Sequence, residues 1–219
     1  MKAYPEITFS IKTRFRKPWL EKKRQFIEKK WNSNNDGRAL LKKITLVCHL
    51  PFPKSINSIN VSLEPYHGNG GLLGLTDAFG KPNEITLFVK KRHRYSNVKS
   101  TLCHELIHSL CWCNTKHDQR RTVTSYFADM FADELLTTLL ETYIIKRKMT
   151  RTDYEWALDY ARDGICRNLK NLKLSNNYQH VVGELEAYLK CYKKEIGNGS
   201  NLLLQRQQIV TYIRSPNDC

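Results

Sequence analysis

The 219-residue chain is 41% hydrophobic and 26% charged, which supports a folded core and excludes wholesale disorder. It carries 36 Lys and Arg against 21 Asp and Glu, a formal net charge of +15, so a phosphate-bearing or acidic partner is favoured over a basic one. No run of about 18 apolar residues occurs, which argues against a transmembrane helix, and Met1–Ser10 lacks the basic-then-apolar pattern of a secretory signal.

The basic character begins early. Between Lys12 and Lys30 nine Lys and Arg face only Glu21 and Glu28. Pro18 followed by Trp19-Leu20-Glu21 opens a basic helix running to about Trp31, ended by Asn32-Ser33-Asn34-Asn35-Asp36-Gly37. A second basic cluster is Lys90-Lys91-Arg92-His93-Arg94. Such charge serves either as a solvated lysine-rich face or as a surface for nucleic acid, since phosphate attraction needs no sequence motif. No known nucleic-acid-binding motif accompanies it.

Short β-type runs follow at Ile44–Leu50, Ile59–Leu63 and Ile85–Val89, with Pro51, Pro53 and the 68–74 glycine-rich stretch marking turns. The glycine cluster does not follow a strand and open a helix, so it is read as a loop bordering a cleft and not as a phosphate loop. From Asn97 the pattern turns helical: Val98, Leu102, Leu106 and Leu110, with Cys103 and Ile107, form an apolar face. After a polar connection from Asn114 to Arg121, a second helix is expected from Thr122 to about Lys146. Thr152-Asp153-Tyr154-Glu155 signals a third, to about Leu169, and two more are expected near Tyr178–Ile196 and Asn201–Ile213. The expected fold is α+β: a small early sheet packed on an active-site helix, then a mostly helical C-terminal half. The expected organisation is a basic segment with its helix over 1–36, a core over 37–149 and a helical region over 150–219.

The chemistry concentrates in His104-Glu105-Leu106-Ile107-His108. Residues four apart project from one face of a helix, so two imidazoles can reach one cation, and zinc accepts that geometry while keeping a position for water. Glu105 adjoins the first histidine, where a carboxylate can take a proton from that water without ligating the metal. The seven cysteines are scattered, with no CxxC pair. They signal neither a zinc ribbon nor a disulfide framework and fit a reducing cytoplasm. Cys111 and Cys113 are read as core or loop residues and not as ligands.

The segment Thr101-Leu-Cys-His-Glu-Leu-Ile-His-Ser-Leu-Cys-Trp112 resembles the active helix of zincin metallopeptidases, particularly the SprT-like proteins. The resemblance implies a zinc-dependent peptidase acting on a protein or peptide. It also implies that Ile85–Val89 is the edge strand along which an extended substrate lies. The stretch Ser125-Tyr-Phe-Ala-Asp-Met-Phe-Ala-Asp-Glu-Leu-Leu136 is similar to the second helix of gluzincins and ImmA-type regulators, which carries the third ligand.

The third zinc ligand is open. Cys111 and Asn114 stand where a metzincin needs Gly and His, and no Glu occupies the gluzincin register. If the two helices are antiparallel, Asp129 lies at a suitable distance past the turn, with Asp133 as an outer partner for a ligand histidine. The alternative is His117, a loop histidine as in SprT-like proteins, followed by Asp133 and Glu134. His117, Tyr126 and His180 are also candidates to donate a hydrogen bond to a developing oxyanion. Two other functions fit the same sequence: a non-catalytic zincin-derived binding or structural protein, and a basic nucleic-acid-associated protein.

Overall fold

The computed structural model describes residues 4–12, 17–66, 74–77, 81–115, 123–146 and 201–214, with the backbone alone for 123–131, 135 and 212–214. The chain divides into two compact units: residues 1–46 with 50–116, and residues 47–49 with 117–219.

The first unit is built on one four-stranded mixed sheet in the order β1-β2-β4-β3. Its strands are β1 (Glu6–Ile11), β2 (Ser58–Pro65), β3 (Gly74–Thr76) and β4 (Glu84–Val89). β1, β2 and β4 are parallel, in register Phe9↔Val61 and Val61↔Ile85, while β3 runs antiparallel to β4. Alternation fixes which face is apolar: Ile59, Val61 and Leu63 on β2 and Ile85, Leu87 and Val89 on β4 are all at most 2% exposed. The intervening residues of β2 are polar, and two bonds cross between strands on that face, with Thr8 donating to Asn60 and Ser62 paired with Thr86.

Parallel strands cannot be joined by a hairpin, and α1 (Pro18–Asn32) and α2 (Asp36–Val47) make the crossing from β1 to β2. Proline opens α1, where its missing N–H costs nothing. Asn34 and Asn35 adopt φ of 53° and 57°, a left-handed conformation that asparagine tolerates, and so separate the two helices. Gly37 then lets α2 start against Trp31, since a Cβ there would meet the indole ring at 2.2 Å.

The expectation of a strand at Ile44–Leu50 is corrected. Leu40, Leu41, Ile44 and Cys48 recur at helical spacing and are buried, so this apolar stretch belongs with α2, which runs through Val47. The other strand expectation needing correction concerns Ile85–Val89. It is a strand, but an interior one between β2 and β3, and the edge beside it is Gly74–Thr76.

Helix α3 (Tyr95–Cys113) carries Val98, Leu102, Leu106 and Leu110, with Cys103, Ile107 and Cys111, all buried. It packs on β3 and β4. Both its ends are fastened. At the start, the Asn97 amide oxygen accepts from the Arg94 N–H, and Tyr95 and Lys99 both bond to Asp36 of α2. At the finish, Asn114 donates to the carbonyls of Leu110 and Pro51, and Thr115 donates to that of Cys111.

In the second unit, α4 (Val123–Ile144) packs against α5 (Leu202–Arg214), and the Leu202 N–H donates to the Cys48 carbonyl at 3.0 Å. Leu136, Leu139, Leu140 and Ile144 of α4 are buried, as are Leu202, Ile209 and Val210 of α5. Helices α4 and α5 agree with the expected positions, whereas the helices expected over 152–169 and 178–196 lie outside the described residues. The α+β class is as expected from sequence. Among the described residues no helix is long and apolar enough to cross a membrane.

Candidate metal centre

His104 and His108 lie one turn apart in the middle of α3, where the backbone is held by helix on both sides. Their Nε2 atoms are 3.0 Å apart, with ring centroids at 4.7 Å and planes at 73°. Two protonated nitrogens cannot approach so closely, so the pair either shares one proton or turns lone pairs toward a common cation. Two histidines on a tetrahedral zinc ion, each about 2.05 Å from it, place their nitrogens roughly 3.3 Å apart. The donor pair therefore fits such an ion with only a small adjustment of the rings. His108 is 9% exposed and His104 is half-buried, so the pair has a shielded and a more open side.

Glu105, next on the helix, is 5% exposed, and its carboxylate is gripped by the edge strand. Thr76 Oγ1 donates to Glu105 Oε2 at 2.7 Å and lies 3.1 Å from the Glu105 carbonyl oxygen. Two residues earlier on the same strand, Gly74 presses against the same side chain: a Cβ built there would lie 2.5 Å from Oε1, 2.6 Å from Cγ and 2.8 Å from Cδ. Real Cβ contacts do not occur at such distances, so glycine is required for the carboxylate to occupy its place. One face of β3 thus supplies both a donor and a space, while Leu75 between them points outward at 52% exposure.

These two contacts were not visible in the sequence. Gly74 stands at the end of a glycine-rich stretch, and a threonine two residues on carries no motif. Their relation to Glu105 exists only through the pairing of β3 with β4 and the docking of α3 on both. The expected consequence is measurable in the fold itself. Thr76→Val should lower stability by about 1–3 kcal/mol in urea unfolding, since it takes this donor away from a buried carboxylate oxygen. Thr76→Ser should recover most of the loss, and a Thr76→Val protein as stable as the unaltered chain would show that the hydroxyl's bond to Glu105 contributes nothing.

No family model, curated protein or solved structure matches the chain. The chemistry of the site therefore rests on its own residues.

The other residues singled out by the motif fall in different places. Asp129 lies in α4, one turn before Asp133, with its backbone alone described, and the same holds for Tyr126. His117 and His180 lie outside the described residues. Asp133 is 1% exposed, and its charge adds to burial in pushing the Cys48 thiol up to about 12. Glu134, the next residue, is half-buried. Cys111 is buried, and burial raises the Cys113 thiol against an opposing hydrogen bond with Ser109. Neither Cys48 nor Cys113 is thus a ready thiolate near neutral pH.

Proposed function

We propose that the chain is a zinc-dependent metallopeptidase in which His104 and His108 bind the ion and Glu105 is the general base. The single observation that carries this is the convergence of the two Nε2 atoms, 3.0 Å apart, beside a buried carboxylate on the same helix. A zinc ion bound there would supply Lewis acidity, making a water acidic and polarising a carbonyl. Glu105 takes the proton from the attacking water and delivers it to the leaving amine. Thr76 and Gly74 hold its carboxylate in one position, which is what a proton carrier between two fixed partners needs. The substrate is a protein or peptide.

The third ligand in this proposal is a carboxylate of α4. The sequence singles out Asp129, with His117 as its alternative. Glu134, half-buried in α4, stands behind them. Asp133 is less suited, being enclosed near Cys48 in the interior of its own unit.

The test is metal content read beside hydrolysis. The purified protein should hold stoichiometric zinc and cleave an unfolded protein substrate, and His108→Ala should lose both together. Retention of zinc and turnover by His108→Ala would sink the proposal. Among Asp129→Ala, His117→Ala and Glu134→Ala, the variant that weakens zinc binding most identifies the third ligand, and the expected one is Asp129→Ala.

A further inference from the structure

The strongest feature outside the metal centre is a basic surface in the first unit, formed where α1 meets the turn between β4 and α3. Helix α1 sorts its side chains by charge. Leu20, Ile27 and Trp31 are buried. Glu21 and Glu28 are both tied to Arg24, at 2.6 and 2.7 Å, so the acids of this helix are engaged locally. Lys22, Phe26, Lys29 and Lys30 remain, at spacings of four, seven and eight residues, and form one exposed stripe.

That stripe is fastened to the second basic cluster. Lys23 Nζ donates to the His93 carbonyl at 2.7 Å, and Phe26 meets Tyr95 edge-on at 6.4 Å. The turn is closed by the His93 N–H to the Lys90 carbonyl and by the Lys90 N–H to His93 Nδ1, both at 3.1 Å. It leaves Lys91, Arg92 and Arg94 exposed. Among the described residues none of these three, nor Lys22, Lys29 or Lys30, takes part in an ion pair. Burial, and then the charges of Lys90, Lys23 and Arg92, lower the His93 pKa from its ordinary value.

We propose that this surface binds single-stranded nucleic acid, its cations taking backbone phosphates and Phe26 stacking with a base. Charge alone would suit any polyanion. The aromatic decides for nucleic acid: Phe26 is 42% exposed within the stripe, with Tyr95 perpendicular to it at 89° and Lys23 Nζ over its ring at 5.8 Å from the centroid. Cations interleaved with an accessible ring are how sequence-tolerant single-strand binding is built. The surface shares no residue with the metal centre, so its test is independent of peptidase activity.

Fluorescence anisotropy of labelled oligothymidylate and oligouridylate with the full chain, across a series of salt concentrations, reads the proposal directly. Binding should weaken steeply with salt. The triple variant Lys91→Ser/Arg92→Ser/Arg94→Ser should flatten the log–log salt slope by about 2, at about 0.7 for each phosphate no longer neutralised. Arg92→Lys/Arg94→Lys, which keeps the charge, should hold the slope near that of the unaltered chain. Phe26→Ala should weaken single-strand binding fivefold or more while changing affinity for a duplex of equal length less. Absence of binding at low salt, or an unchanged slope in the triple variant, would overturn the proposal. So would an undiminished affinity in Phe26→Ala, or binding to phosphatidylserine vesicles with none to either oligonucleotide.

Discussion

Replacement of Glu105 by glutamine should leave zinc bound and lower peptide turnover by about 10²- to 10⁴-fold, the span of general acid–base catalysis. The two properties separate because they rest on different atoms. In the proposed centre, metal affinity rests on imidazole nitrogens of His104 and His108, which the substitution does not touch. Proton transfer depends on a carboxylate, which an amide matches in shape but not in basicity. Glutamine can still accept from Thr76 through its amide oxygen, so the grip of β3 is preserved and the comparison is of chemistry, not of folding. Inductively coupled plasma measurement of zinc, beside initial rates on an unfolded protein, supplies both numbers. A fully active Glu105→Gln protein would mean that another base is used or that the hydrolysis originates elsewhere.

Gly74→Ala should have an effect out of proportion to one methyl group. The added Cβ would sit 2.5 Å from Glu105 Oε1 and 2.6 Å from Cγ, so either the edge strand retreats or the carboxylate is expelled. Overpacking of this kind costs about 1–3 kcal/mol, and displacement of a catalytic group by about 1 Å can lower turnover about 10²-fold. A double-mutant cycle isolates the cause. In a Glu105→Ala background the space is vacated, so the same glycine substitution should lose most of its stability penalty, giving a coupling of at least about 1 kcal/mol. Strict additivity in urea unfolding would show that the cost comes from the backbone of β3 and not from contact with Glu105.

How much of this was legible beforehand follows from the range over which each signal acts. Helices α1 and α3 announce themselves through proline, asparagine and a 3.6-residue apolar period, and β2 and β4 through short alternating runs. The stretch from Ile44 misleads because a short apolar run fits either period, and Leu40 and Leu41, a turn earlier, are what make it helical. Strand β3 spans three residues, too few to show any period. The motif on α3 gives His104, Glu105 and His108 at once, because its spacing is local to one helix. The supports of Glu105 come from 29 and 31 residues earlier in the chain, at Thr76 and Gly74. Such relations are made by topology, and no local pattern encodes them.

The grip of β3 on Glu105 ties the readiness of a carboxylate to the lifetime of a short edge strand. Strands of this length at the margin of a sheet open more readily than the helix they touch, and Leu75 adds little burial to hold this one. On the proposed mechanism, turnover under mild denaturant should therefore fade before the helical signal does, because the histidine pair lies on α3 and not on β3. The protein would pass through a state that is helical and idle, with its proton carrier adrift.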